Sequence, residues 1–205
     1  MAKKPNCLTH EAAAAMPLVA LTAFACLDWL PSQNGSQQRR VVVRGGSGGT
    51  GSIIIQCQSQ NFPALIPFIG ITAFSQFQPP TNNNTVAKVV YDCHVTAICS
   101  GKNSEYVQNL GSDEVIDYTS QDVVNSLLEE KASSPPYDLI VDCVGGTDLF
   151  NAYVELLNPK GAYVTIVGDK TGVKTLGGPP TYFTSPSQIA RFIRGYIWGP
   201  RYACM

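Results

Sequence analysis

Gly46, Gly48 and Gly51 stand at G-x-G-x-x-G spacing between the apolar run Val41-Val42-Val43 and the segment Ser52-Ile53-Ile54-Ile55. A strand that turns tightly into a helix presents the helix's unpaired N–H groups, and the positive end of its dipole, to an anion. In such a turn Gly46 would permit the bend, Gly48 would let a pyrophosphate approach the backbone, and Gly51 would let the helix pack on the strand. The same spacing also suits a glycine-rich surface loop. The strand before it and the apolar segment after it are the context that a dinucleotide site requires.

A dinucleotide site that prefers NAD keeps an acid at the end of the second strand for the ribose 2′-hydroxyl. Here that place reads Cys99-Ser100-Gly101-Lys102-Asn103. A hydroxyl and a cation, Ser100 and Lys102, suit the 2′-phosphate of NADPH, although Ser100 could equally do no more than cap the helix that follows. Tyr118 follows the third strand at the same edge, as an adenosine-pocket wall or as an interfacial packing residue. Cys143 and Val144 end the fourth strand, and Val167 and Gly168 the fifth, so their backbones should line the nicotinamide half of the cleft. Nothing in the sequence supplies Cys143 with a base, which argues for a packing residue rather than a nucleophile. No catalytic side chain is identified.

The elements that must hold these residues alternate. Thr9 caps a helix through Ala15, and Pro17 opens a second helix running to about Trp29, so residues 1–40 form a helical lead-in to a nucleotide-binding domain at 41–205. A helix starts at Gly49; strands are expected at His94–Cys99, Glu114–Asp117, Asp138–Val144 and Gly161–Val167. Helices are expected at Lys102–Leu110, closed by Gly111, at Ser120–Lys131, at Asp148–Leu157 and at Pro186–Tyr196. Repeated strand–helix units predict an α/β fold, a Rossmann-type doubly wound parallel sheet with ligands at the carboxyl ends of the strands. No strand is expected after Gly168. One stretch resists the pattern: residues 57–86 carry four prolines and the cluster Thr81-Asn82-Asn83-Asn84-Thr85, with neither period 2 nor period 3.6. Without these 30 residues, Gly51 and Ser100 would be separated by the roughly 20 positions of a mononucleotide unit. They read as an insertion within the first helix, either a translated intron or an excursion loop.

Charge and composition narrow the partners. With a net charge of −1 and 14% charged residues in 205, the chain has no basic footprint for nucleic acid and no polybasic membrane patch. Its seven cysteines form no C-x-x-C pair and only two histidines accompany them, so no metal site is expected. Buried reduced thiols suit a cytoplasmic protein. Lys3, Lys4 and the apolar run 12–27 resemble a signal peptide, but Glu11 interrupts the approach and Pro17 the run.

Taken together, the residues resemble the zinc-independent branch of the medium-chain dehydrogenase/reductase superfamily, the quinone-oxidoreductase-like and reticulon-interacting-protein-like reductases. The resemblance is carried by Ala14 to Ala23, Gly45 to Gly51, Val95 to Ser100, Leu110 to Tyr118 and Asp138 to Gly146. It implies that Ser47, Gly49, Thr50, Ser100 and Tyr118 contact NADPH, and that hydride passes from the cofactor to a small-molecule quinone or other α,β-unsaturated carbonyl. In such families a GroES-like domain precedes the nucleotide-binding domain, and C-terminal strands form a homodimer. Neither is expected in this chain, which leaves a nucleotide-binding fragment without turnover as the alternative to an active reductase.

Overall fold

The computed structural model describes residues 9–32, 37–58 and 93–167, together with the backbone of 201–204. Six strands, β1 (Arg39–Arg44), β2 (Cys93–Cys99), β3 (Glu114–Asp117), β4 (Tyr137–Asp142), β5 (Leu157–Thr165) and β6 (Arg201–Cys204), form one sheet in the order β3-β2-β1-β4-β5-β6. Every neighbouring pair is parallel. This is the doubly wound Rossmann arrangement, in which the order reverses between β1 and β4 and opens a crevice at their carboxyl ends.

Parallel strands covered on both faces read as continuous apolar runs, and β1 shows the consequence. Val41 and Val43 enter one core layer with Val95, Ile54, Ile55 and Leu139. Val42 enters the other with Ile140, Leu127, Leu149 and Tyr163. The first layer is roofed by α1 (His10–Leu27) and α2 (Gly49–Gln58). The second is roofed by α4 (Val123–Ser133) and α5 (Asp148–Leu156), while the short α3 (Ser104–Asn109) follows a 3-10 turn at Gly101–Asn103. The lead-in helix α1 shares the core of the sheet through Ala20, Ala23, Cys26 and Leu27.

Several boundaries differ from the sequence pattern. The two expected N-terminal helices are one, running through Pro17. A proline inside a helix removes one hydrogen bond and costs about 3 kcal/mol, and here the small buried residues of α1 pack it closely against α2, with the half-buried Val19 beneath Gly49. α4 begins at Val123 rather than Ser120, because Asp122 caps it by accepting from Asn125 N at 2.9 Å, and Ser120 belongs to the preceding turn. β4 ends at Asp142 and β5 at Thr165, two residues short of Val144 and Val167. α3 closes at Gly111 as expected, with Gly111 N bonded to Gln108 O and Ser112 N to Val107 O. β6 was not anticipated: four residues at the end of the chain pair with Ala162–Thr165. α2 continues to Gln58, one residue past Cys57; the rest of the 57–86 stretch, the helix at Pro186–Tyr196 and Gly168 lie outside the described residues.

Two packing features yield measurable consequences. A Cβ on Gly51 would lie 2.3 Å from Gly45 O, whereas one on Gly48 would lie 3.2 Å from the same oxygen. Gly51→Ala is expected to lower stability by about 2–3 kcal/mol and Gly48→Ala by clearly less, read as denaturant midpoints at constant m-value. Equal effects would contradict the close approach. Burial pushes the thiols of Cys26, Cys57 and Cys143 from 9.0 up to about 12, so above pH 9 the folded chain holds protons that the unfolded chain has lost. Stability is therefore expected to fall with rising pH in that window, by up to about 1.4 kcal/mol per pH unit for each thiol, with no slope from them below it. Cys26→Ala should make the alkaline slope shallower in urea unfolding at pH 8 to 11.

Candidate functional site

A cleft of about 730 Å³ opens where the strand order reverses. The carboxyl ends of β1, β2 and β4 and the turns after β3 and β5 deliver its walls: Arg44 and Gly45, Ile98 to Ser100, Cys143 and Val144, Tyr118, and Ile166. Ser47, Gly48, Gly49, Thr50 and Gly51 form its floor at the start of α2.

The floor is built by hydrogen bonds that leave one face of the backbone open. Gly45 N and Gly46 N both donate to Ile98 O, at 2.9 and 3.2 Å, and Gly48 N donates to Gly45 O at 2.9 Å. The first i to i−4 bond from this loop into α2 runs from Ser52 N to Gly48 O, so amides ahead of it have no carbonyl to meet in the preceding turn of helix. The glycines follow the spacing rule at Gly51 and depart from it at Gly46. Gly45, with φ +80°, is the residue that makes the turn. Gly46 is buried and faces Ile55, Ala97 and Val107 rather than the cleft, and it is Gly51 that allows the close helix–strand contact.

At one end of the cleft lie two hydroxyls. Ser100 stands at the N-cap of the 3-10 turn, but its side chain makes no capping bond. It accepts instead from Asn103 Nδ2 at 3.2 Å, and the same nitrogen donates to Ser47 Oγ at 3.1 Å. Asn103 was not singled out from the sequence; a cap-type residue three positions after Ser100 was the available signal. Tyr118 lines this end and is 58% exposed. Lys102 is exposed on the turn and does not line the cleft. The two nearest acids are engaged elsewhere. Asp117 accepts from the hydroxyl and amide of Thr119 and from Ser120, which hold its carboxyl below the usual range. Asp122, a lining residue, caps α4.

The other end is apolar on its surface and polar beneath. Val144, Cys143 and Ile166 line it, whereas Val167 is exposed and set apart. The Cys143 thiol, pushed up to about 12 by burial, is protonated at neutral pH and unsuited to nucleophilic attack. Beneath, the fully buried Asp142 accepts from Tyr163 Oη at 2.7 Å, Val144 N at 3.0 Å and Gly145 N at 2.7 Å, and so shapes the turn that carries Cys143 and Val144. Arg44 reaches across to Asp148 at 2.6 Å. Burial opposes ionisation of Asp148, but the hydrogen bond and charge of Arg44 win and hold its carboxyl below the ordinary value.

The arrangement fits a dinucleotide: an open glycine floor for a pyrophosphate, hydroxyls at one end and an apolar wall at the other. Among the described residues no three His, Cys, Asp or Glu side chains gather in a group that could hold a metal ion. No helix among them is long and apolar enough to cross a membrane.

Comparison with known proteins agrees with this geometry. The family model described as "Zinc-binding dehydrogenase" matches residues 110–194. Over 167 residues the chain is 36% identical to "NAD(P)H oxidoreductase RTN4IP1, mitochondrial" of Bos taurus, covering 80% of this chain and 34% of that protein. It is 32% identical over 149 residues to "Trans-enoyl reductase pgmF" of Aspergillus terreus, covering 72% of this chain and 32% of the relative. Thus it spans about a third of the length of these relatives. In fold it is similar to the quinone oxidoreductase from Coxiella burnetii, with a TM-score of 0.60 and 21% identity over 99% of this chain and 46% of that one. With its reversed sheet order and glycine floor, the chain belongs to the medium-chain dehydrogenase/reductase superfamily.

Proposed function

We propose that the chain binds NADPH as the nucleotide-binding part of an oxidoreductase that passes a hydride to a quinone or other α,β-unsaturated carbonyl. The observation that carries this reading is the union, in one cleft, of the glycine floor with the hydroxyls of Ser47 and Ser100 where an NAD site would hold a free acid. Gly48, Gly49 and the amides opening α2 bind the pyrophosphate, Ser100 donates to the 2′-phosphate, and Tyr118 covers the adenosine. Lys102, two residues on, adds a cation that is exposed in the unliganded turn. Cys143, Val144 and Ile166 exclude water from the nicotinamide end, with Asp142 holding their turn in place. The bound cofactor supplies the hydride; the protein's part is to orient it. Relatives named as an NAD(P)H oxidoreductase and an enoyl reductase support the same chemistry.

Small-molecule substrates and a cytoplasmic setting belong to this proposal. The last rests on the buried thiols of Cys26 and Cys57, which no disulfide joins. A non-catalytic nucleotide-binding role is the second reading, favoured by the thiol at the apolar end, where burial holds Cys143 at about 12.

NADPH fluorescence titration followed by addition of a quinone separates the two. Binding with oxidation supports the reductase, binding alone supports the second reading, and no binding removes both. Ser100→Asp is expected to weaken NADPH binding at least about tenfold, by charge repulsion at close range, and NADH binding less than about threefold. Equal losses would overturn the NADPH assignment.

A further inference from the structure

We infer that Asn103 is a positioning residue that links the two phosphate-binding ends of the cleft and sets the preference for a 2′-phosphorylated cofactor. The inference rests on the NADPH reading above and adds to it a residue that acts through the two serines.

Asn103 occupies the N-cap of α3, a place where an asparagine side chain ordinarily accepts from a backbone amide one turn on. It makes no such bond. Ser100, at the N-cap of the 3-10 turn, likewise withholds its hydroxyl from capping. Both side chains are turned toward the cleft, and they meet there: Asn103 Nδ2 lies 3.1 Å from Ser47 Oγ and 3.2 Å from Ser100 Oγ. All three residues line the same cavity. Nδ2 carries two hydrogens and no lone pair, so each hydrogen occupies a lone pair on one serine oxygen. A hydroxyl that accepts from one side keeps its own proton to donate on another. The amide therefore orients two O–H groups as donors, one on the pyrophosphate floor and one at the end of β2, and ties them at a fixed separation. Its own backbone N–H, bonded to Ser100 O at 2.8 Å, anchors the turn from which it reaches. An acceptor in the same place would reverse both hydroxyls and leave their lone pairs facing phosphate oxygens.

The consequence is selective. Ser47 serves any dinucleotide, whereas Ser100 serves only one with a 2′-phosphate. Removing the tie should weaken both cofactors and NADPH more, which a purely structural role would not do.

The test is calorimetric titration of the full chain with NADPH, NADH and adenosine 2′,5′-bisphosphate, with thermal melting to monitor folding. Asn103→Ala is expected to weaken NADPH about tenfold, NADH about threefold and the bisphosphate about threefold, the size of one or two lost hydrogen bonds. Asn103→Asp, of nearly equal volume but acceptor-only, should weaken NADPH further than Ala does. In the Asn103→Ala background, Ser47→Ala should cost less than it does in the parent, since its hydroxyl is no longer oriented. Parent-like NADPH binding in Asn103→Asp, equal losses for NADPH and NADH in Asn103→Ala, or full additivity with Ser47→Ala would each overturn the inference. Failure of the parent chain to bind any of the three ligands would instead remove the NADPH reading, and this inference with it.

Discussion

Everything at the binding end of the sheet depends on one carbonyl. Ile98 O accepts from both Gly45 N and Gly46 N, so the last residue pair of β2 holds the first turn after β1. That clamp places Gly45 where only a positive φ closes the turn, and Gly45 O in turn receives Gly48 N and abuts Gly51. The start of α2 is thereby pinned to within a backbone's thickness of β1. Ile53, Ile54 and Ile55 can then enter the core layer shared with α1, and the loop's remaining amides are left facing the cleft. Binding geometry and core packing are set by the same few contacts, which is why a methyl group at position 51 would disturb both.

The far end of the cleft solves a different problem, that of holding an apolar wall in a fixed shape without an exposed polar scaffold. Asp142 does it from below. A buried carboxylate is costly unless its oxygens are satisfied, and Asp142 receives three donors, two from the turn it shapes and one from Tyr163 across β5. The cost of desolvation becomes a constraint on the turn: Val144 and Gly145 cannot move without leaving that charge short of partners. The amino edge of the sheet uses the same device. Arg40, almost fully buried, is paired with Glu130, bonded to Pro135 O at 2.7 Å and stacked 4.5 Å from the Tyr137 ring centroid, so that β1, α4 and the approach to β4 are locked together.

The sheet was legible because burial on both faces writes itself as runs such as Val41-Val42-Val43 and Leu139-Ile140-Val141, and the glycine spacing marked the turn between strand and helix. Pro17 misled because proline's local cost, a few kcal/mol, is smaller than what a stripe of small residues can recover by packing α1 against α2. β6 escaped notice because four residues, Arg201–Cys204, are too few to show a period. At the site, spacing located the floor but assigned the turn to Gly46 instead of Gly45, since a pattern of glycines does not say which of them must adopt a positive φ. Asn103 carried no pattern at all. Its role exists only once the end of β2 and the loop after β1 are side by side, a contact between residues 56 positions apart.

That last case generalises to how a cap residue can be spent. An N-cap side chain contributes about 1 kcal/mol when it satisfies a helix amide, and both Ser100 and Asn103 forgo it. α3 is only six residues long and exposes most of its surface, so it has little stability of its own to yield. It is instead held from its other end, where Gly111 and Ser112 close it by backbone bonds and Val107 is buried against the sheet. The chain has placed the anchoring of this element at its C-terminus and the polar groups of its N-terminus at the disposal of the cleft. A helix start left uncapped beside a strand end is thus a physical mark of where a fold has traded local stability for a binding surface.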